Sequence, residues 1–186
     1  MEFSILNRKT VYSGRAFDVA IVAIGMPDGN IINYDLVYHP PAVTIIPVDE
    51  QKYIHFVCQY RLGAQSELLE LPAGVLEKEE TPTQCAAREI REETGMAAGE
   101  LITLGNFFMA PGYTTEEMHV FLATQLYPAP LAADADEYLS VEKITISNVY
   151  QIIHEGKVRD GKSLAALLLA EPYLSRMVDH GTPRSH

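Results

Sequence analysis

The chain has 186 residues, 47% of them hydrophobic and 21% charged, with a formal net charge of -11. That length supports one domain with a full hydrophobic core and a short accessory segment. The negative charge argues against nucleic acid polymers and anionic membranes as partners, because binding to either depends on basic residues.

The sequence also carries no signal for export or membrane insertion. The apolar run over residues 164–170 is too short to span a bilayer, and residues 1–10 contain no apolar stretch of signal-peptide length. We therefore expect a cytoplasmic location and no membrane association. Cys58 and Cys85 form no C-x-x-C pair and are expected to be reduced thiols.

The first 38 residues predict a β-hairpin. Apolar and polar residues alternate over residues 11–22, which is typical of a strand, and residues 31–38 return after the turn at residues 27–30. A lone hairpin is marginally stable in water. We therefore expect this segment to pack on the rest of the chain or on a second copy of it.

The remaining strands are predicted from apolar runs bounded by turns. They cover residues 42–48, 53–60, 101–109, 118–126 and 141–146, and residues 68–71 lead into a Pro-Ala-Gly turn. Several consecutive strands are joined too tightly for parallel crossovers. The prediction is therefore an α/β fold with a mixed sheet and helices on both faces.

The first predicted helix has clear signals at both ends. Thr81 suits the N-cap, Pro82 the first helical position and Gln84 the capping box, while Gly95 is a natural stop. A second helix is predicted from a cap at Ser147 to residue 155, and a third over residues 161–170. The predicted division is a hairpin segment at 1–38, a catalytic domain at 39–175 and a flexible tail at 176–186.

The first helix carries a stripe of carboxylates. Glu89, Glu92 and Glu93 stand at i, i+3 and i+4 and share one face, where like charges destabilise a bare helix. Taken alone, such a run is usually a solvated acidic surface. The alternative is a divalent cation site, because Mg²⁺ binds through a few carboxylates while keeping waters and substrate phosphates.

The spacing around this stripe favours the cation site. Nine residues around the stripe stand at characteristic distances from one another. They are Gly74, Glu80, Arg88, Glu89, Ile90, Glu92, Glu93, Gly95 and Met96. They match the Nudix box throughout, so the chain resembles the Nudix hydrolases. The resemblance implies an α/β/α sandwich with a mixed sheet after the N-terminal hairpin, and metal-dependent cleavage of a nucleoside diphosphate compound.

The resemblance also implies roles for residues of the box. The implied metal ligands are Glu89, Glu92, Glu93 and the backbone carbonyl of Ala73. Arg88 is implied to orient a box carboxylate, and Glu80 to act at the edge of the site. The metal, Mg²⁺ with Mn²⁺ as a substitute, would neutralise the diphosphate and activate the attacking water.

Segments outside the box are similar to the ADP-ribose pyrophosphatase subgroup. Its lead-in resembles residues 69–74, and its phosphate-contacting arginine corresponds to Arg61 at a strand end. Its proline corresponds to Pro111, which lies 15 residues after Met96. The implied substrate-binding residues are Arg61, Gly74, Pro111, Gly112 and Glu116.

The expected reaction is therefore hydrolysis of ADP-ribose to AMP and ribose 5-phosphate. Other nucleoside diphosphate sugars, such as GDP-mannose or ADP-glucose, are the alternative substrates. A hydrolase of oxidised nucleoside triphosphates and a sensor without catalysis are two further alternatives, and the intact box argues against the sensor.

The general base is implied to lie on the acidic loop that follows the Pro-Gly segment. Asp134, Asp136 and Glu137 are the candidates there. We favour Glu137, because glutamate has the longer reach.

The N-terminal hairpin resembles the dimerisation region of the same subgroup and implies a homodimer. In that subgroup, aromatic side chains can sandwich the adenine. This chain has no tryptophan, so Tyr12, Phe17 or Tyr38 would have to serve.

Overall fold

The structure is a computed structural model, and it describes residues 2–132 and 138–179. Residue contacts divide the chain into two compact units. The first consists of Met1–Pro41 with Phe107–Met118, and the second of Ala42–Asn106 with His119–His186. This division differs from the predicted boundary after residue 38, because a segment distant in sequence joins the N-terminal strands.

The N-terminal unit contains three antiparallel strands rather than the predicted hairpin. They are β1 (Ser4–Ser13), β2 (Asp18–Gly25) and β3 (Ile31–Tyr38), in the order β1-β2-β3. The strand predicted over residues 11–22 was wrong, because a turn closed by the hydrogen bond from Gly14 N–H to Phe17 C=O interrupts it. β1 gave no alternating signal because every one of its residues is exposed.

The segment around Tyr113 continues this unit along the end of β3. Val37 N–H donates to the carbonyl of Tyr113 (2.8 Å), and Thr115 N–H donates to the carbonyl of Val37 (3.0 Å). His39 N–H donates to the Thr115 hydroxyl (3.0 Å). Backbone pairing therefore fixes this segment to β3.

The larger unit is built on seven strands, two of which extend into the N-terminal unit. These strands are β4 (Ala42–Pro47), β5 (Tyr53–Arg61), β6 (Ser66–Glu70), β7 (Ala73–Val75), β8 (Met96–Phe108), β9 (Glu117–Pro128) and β10 (Leu139–Thr145). One sheet has the order β10-β5-β6 and the other the order β7-β4-β9-β8. β8 begins directly after Gly95, five residues earlier than predicted.

The core of the larger unit lies around β4. All six residues of β4 are buried, and neighbouring residues of a strand point to opposite faces. On one face, Val43 and Ile45 pack with Ala86 and Ile90 of helix α1 (Pro82–Thr94). Helix α3 (Gly161–Asp179) also contacts β4. Both α1, which carries the carboxylate stripe, and α3 therefore pack on this strand.

The helix ends agree with the sequence in one case and differ in two. α1 has the predicted cap at Thr81, the capping box with Gln84 and a left-handed Gly95 (φ 71°). The cap predicted at Ser147 was wrong, because α2 (Ile146–His154) is preceded by an N-cap at Thr145 whose side chain makes no capping bond.

α3 extends to Asp179, into the segment that was predicted to be a flexible tail. Burial of Leu174 explains the difference, because this fully buried side chain ties the later turns to the core. Residues 176–179 of the predicted tail are therefore helical, and the rest of that tail lies outside the described residues. Within residues 2–132 and 138–179, no helix combines the length and apolar character needed to cross a bilayer.

Candidate active site

The carboxylate stripe of α1 faces inward. Glu89 and Glu93 are 6% and 3% exposed, and Glu92 is half-buried. A solvated acidic surface is therefore excluded for this face. Burying a carboxylate is costly unless it is paired or coordinates a cation, so the surroundings of these three side chains decide what the face can do.

Arg88 pairs with most of this charge. Its guanidinium donates to Glu80 (2.9 Å), Glu89 (2.5 Å) and Glu92 (2.8 Å). The hydrogen bonds to Glu80, opposed by burial, raise the pKa of Arg88 above its usual value, and the same contact lowers the pKa of Glu80. One guanidinium serves three carboxylates, so the cluster keeps an excess of negative charge.

The glycine loop lies against two of these carboxylates. β7 pairs with the buried strand β4, with Gly74 opposite Val43 and Ala73 opposite Thr44. This pairing holds the loop over α1, where Ala73 N–H donates to Glu93 (3.0 Å). The short strand thus fixes the backbone that faces the carboxylate stripe.

The donor set fits a hard divalent cation. It offers buried carboxylate oxygens, an excess of negative charge and a glycine backbone that lies directly against Glu89, and carboxylate and backbone oxygens are the ligands that Mg²⁺ prefers. In the described ranges, no three acidic, histidine or cysteine side chains converge closely enough to enclose a metal. Arg88 engages oxygens of Glu89 and Glu92.

Cys85 lies beside this loop, and its thiol is not ionised. Its Sγ lies 3.9 Å from the carbonyl of Gly74. Burial, with the nearby carboxylates of Glu80 and Glu89, raises the pKa of the thiol. It is a protonated core thiol, as expected.

Arg61 is not a simple surface charge. It ends β5 and makes two hydrogen bonds of 2.8 Å to Glu70, whose side chain is 1% exposed. The hydrogen bonds to Glu70, opposed by burial, raise the pKa of Arg61, and the charges of Glu93 and Asp160 act in the same direction. Arg61 and the carboxylate stripe therefore share one electrostatic environment.

Sequence reasoning missed the residues that support Arg61. Glu70 is held on its other side by Lys162, and Lys162 also contacts Asp160 (2.9 Å). Asp160 caps α3 by accepting from the backbone N–H of Ser163 (3.0 Å). The available sequence signal was Asp160 itself, because aspartate is a preferred N-cap residue directly before a helix.

The remaining predicted residues are in the N-terminal unit or outside the described residues. Pro111, Gly112 and Glu116 belong to the N-terminal unit, where Tyr113 and Thr115 pair with β3. Glu137, like Asp134 and Asp136, falls outside the described residues.

The α/β sandwich and its site together define a hydrolase in which a helix presents buried carboxylates to a glycine loop. The chain belongs to the NUDIX domain family, whose model matches residues 38–167. This confirms the resemblance drawn from the sequence, including its enzymatic class.

Individual relatives support the same assignment. The chain is 31% identical to the ADP-ribose pyrophosphatase of Bacillus subtilis (strain 168), over 90% of this chain and 91% of that one. It is 32% identical to the GDP-mannose pyrophosphatase of Shigella dysenteriae serotype 1 (strain Sd197), over 70% of this chain and 71% of the relative.

A crystal structure of an ADP compounds hydrolase matches the fold with a TM-score of 0.85 and 27% identity. It covers 94% of this chain and 95% of the other. The predicted fold class, an α/β sandwich with a mixed sheet and N-terminal antiparallel strands, is confirmed.

Proposed function

We propose that this enzyme hydrolyses the diphosphate bond of ADP-ribose to AMP and ribose 5-phosphate with Mg²⁺. The observation that carries the proposal is the complete box with its inward-facing Glu89 and Glu93. Similarity to the ADP-ribose pyrophosphatase of Bacillus subtilis over nearly the whole chain supports the substrate. The known requirement of the family for a divalent metal supports the cofactor, with Mn²⁺ as a substitute.

The proposed metal ligands are the carboxylates of the stripe together with the loop backbone. They are Glu89, Glu92, Glu93 and the carbonyl of Ala73. Bound there, the cation supplies charge neutralisation of the diphosphate and acidifies a water. Arg88 restrains Glu89 and Glu92 at 2.5 and 2.8 Å, so the carboxylates are oriented before the substrate arrives.

Arg61 is proposed to bind a substrate phosphate. Its side chain is 43% exposed and anchored by Glu70, and a planar guanidinium suits bidentate phosphate contacts. Gly74 is proposed to act through its small size, because the absence of a Cβ lets the loop approach Glu89. We propose substrate contacts for Pro111, Gly112 and Glu116, and the role of general base for Glu137.

A cavity in the N-terminal unit suits a flat ligand group. It has a volume of about 350 Å³, and its lining includes Phe17, Tyr38 and His39. Arg8 covers one face of Tyr38, with Cζ 3.3 Å from the ring centroid. Because stacking needs only an open ring face, Phe17 is the better candidate to contact the nucleobase.

We propose a homodimer through the N-terminal sheet. Ile5 and Ile32 both align with Ile24 of β2 and therefore share one face of the sheet, where they are 73% and 41% exposed. Clusters of exposed apolar side chains mark interaction surfaces. β1 is also an edge strand of its sheet, and a second copy would cover it.

The reaction is tested by product analysis of the purified protein with ADP-ribose and Mg²⁺. We expect AMP and ribose 5-phosphate in equal amounts, and no products after chelation of the metal. A panel containing ADP-glucose and GDP-mannose tests the second candidate, which the similarity to GDP-mannose pyrophosphatase supports. A higher kcat/KM for either hexose conjugate would overturn ADP-ribose, and no cleavage of any diphosphate would overturn the enzymatic assignment.

A further inference from the structure

A buried ionic cluster connects the start of α3 to Arg61. Glu70 lies at its centre, and its two oxygens accept hydrogen bonds from Nε and Nη2 of Arg61, each 2.8 Å long. Lys162 reaches the same carboxylate from the other side and is 10% exposed. Because Glu70 is 1% exposed, these two cations replace the water that would otherwise solvate it.

The arrangement leaves one edge of Arg61 for a ligand. Nε and Nη2 are engaged by Glu70, and no residue in the described ranges accepts a hydrogen bond from Nη1. With 43% of the side chain exposed, that edge reaches solvent. A guanidinium held by its inner edge presents the outer edge in a fixed direction, as binding of a phosphate requires.

Lys162 is in turn fixed by the helix cap. Its Nζ lies 2.9 Å from Asp160 Oδ2, which also accepts from the Ser163 backbone N–H. Ser163 Oγ accepts a hydrogen bond of 2.7 Å from Leu71 N–H. Two residues further on, Ala73 N–H donates to Glu93.

The start of α3 is therefore linked both to Arg61 and to the loop that contacts the carboxylate stripe. The Lys162 branch leads through Glu70 to Arg61, and the Ser163 branch leads through Leu71 to the loop that contacts Glu93. Glutamate has three rotatable side-chain bonds, so Glu70 paired with the exposed Arg61 alone could swing outward with it. The contact with Lys162 removes that freedom.

We propose that Lys162 is a positioning residue for Arg61. By fixing the Glu70 carboxylate, it holds the guanidinium so that its outer edge receives a phosphate of the substrate. The proposal rests on the proposed function for the identity of that phosphate. The geometry of the cluster itself does not depend on the substrate.

The first test is kinetic and uses a double-mutant cycle. Lys162→Met is expected to raise KM for ADP-ribose about tenfold with kcat changed by less than about twofold, because uniform substrate binding is lost. In the Arg61→Ala background the same substitution should change KM by less than about twofold, because the group it positions is absent. Independent, additive effects would overturn the proposal.

The single substitutions are chosen so that folding does not decide the outcome, and circular dichroism checks the fold of the double variant, in which Glu70 loses both cations. Lys162→Met leaves Glu70 paired with Arg61, and Asp160 keeps its bonds to Ser163. Asp160→Asn, which preserves a good N-cap, should raise KM in the same direction by a smaller factor. Lys157→Met is the matched control, because Lys157 forms an exposed pair with Glu155, and it should change neither parameter.

The second test requires no substrate. In a proton–nitrogen NMR spectrum, the Nε–H of Arg61, assigned by its loss in Arg61→Lys, should exchange slowly with solvent in the wild type and faster in Lys162→Met. Unchanged exchange would overturn the proposal. Slow exchange that depends on Lys162, in a protein that fails to cleave ADP-ribose, would support the positioning role and refute the proposed substrate.

Discussion

The α-carbon of Gly74 lies directly against the carboxylate of Glu89. A Cβ added at Gly74 would come within 1.8 Å of Glu89 Oε1 and 1.9 Å of its Cδ, far inside the van der Waals distance. Glycine is therefore required here by space, since the backbone itself is the surface that Glu89 contacts. The residue before it donates to Glu93, so this loop positions two of the three stripe carboxylates.

We expect Gly74→Ala to displace Glu89 and reduce kcat/KM about 100-fold, because misplacement of a catalytic group by about 1 Å has effects of that size. The melting temperature should fall by a few degrees, as for other overpacked sites. Gly63→Ala is the control, because no atom lies within 4 Å of a Cβ there. Near-normal turnover in Gly74→Ala would contradict the requirement for contact.

The second prediction concerns metal binding by Glu93. We expect Mg²⁺ to raise the melting temperature of the wild type, since a ligand that binds only the folded state stabilises it. Glu93→Gln should abolish this rise, and turnover should fall about 1000-fold. Glu100→Gln removes the same charge from an exposed side chain that bonds Thr124, and it should preserve both responses. A normal metal-induced shift in Glu93→Gln would remove Glu93 from the ligand set.

Elements with a strong local signal could be predicted from the sequence. α1 has its cap, capping box and glycine stop where Thr81, Gln84 and Gly95 indicate. β1 could not be found, because a strand that buries neither face has no alternating pattern. The end of α3 was missed for a different reason, since it depends on the tertiary burial of Leu174.

The candidate site also combines residues that have a local sequence signal with residues whose contacts depend on tertiary packing. Fixed spacing identified the carboxylate stripe, and a short sequence resemblance identified Arg61. Nothing in the sequence pairs Arg61 with Glu70 or Lys162, because these contacts join residues 9 and 92 positions apart and depend on how the strands and α3 pack. The buried partners of Arg61 therefore depend on tertiary packing.

Asp49 provides a test of stability away from the metal ligands. It accepts from His55 (2.9 Å), Lys143 (3.2 Å) and the Tyr53 amide (2.9 Å). Burial raises the pKa of Asp49, but these hydrogen bonds outweigh it and hold the pKa below its usual value. A lowered folded-state pKa adds stability above the unfolded-state pKa, and that stability disappears as the pH falls through the folded-state value.

We therefore expect Asp49→Asn to lower the free energy of unfolding by about 2 kcal/mol at neutral pH, the value of a charged hydrogen bond. The gap from wild type should shrink below about pH 4, where the unfolded carboxyl is protonated. Urea titrations followed by circular dichroism at pH 7, 5 and 3 measure it. Asp35→Asn, at an exposed position of β3, should produce little change, and a gap that widens in acid would contradict the assignment.

The proposed dimer makes a prediction about mass in solution. Light scattering should give the mass of two 20.6 kDa chains, and Ile5→Asp combined with Ile32→Asp on the same face of the sheet should give one, because a buried unpaired carboxylate opposes association. Leu168→Asp, at an α3 position that is also 73% exposed, is the matched control and should remain dimeric. If only Leu168→Asp dissociates the protein, the interface lies on α3.

The general base remains a prediction. The chain before and after its acidic segment contacts α1 and β5. Arg91 of α1 donates to the carbonyl of Ala129 (2.9 Å), which ties the preceding chain to the carboxylate helix. On the other side, Leu139 pairs with Gln59, two residues before Arg61. Ala129 and Leu139 are thus attached to α1 and β5, which carry the carboxylate stripe and Arg61.

We expect Glu137→Gln to lower kcat for ADP-ribose about 100- to 10,000-fold, the usual contribution of a general base, with KM nearly unchanged. Asp134→Asn and Asp136→Asn remove the same charge from the same segment and should retain most of the activity. Steady-state kinetics at saturating Mg²⁺ separates the three, because weakened metal binding would otherwise imitate loss of the base. If Glu137→Gln is nearly normal and one aspartate variant is inactive, that aspartate is the base.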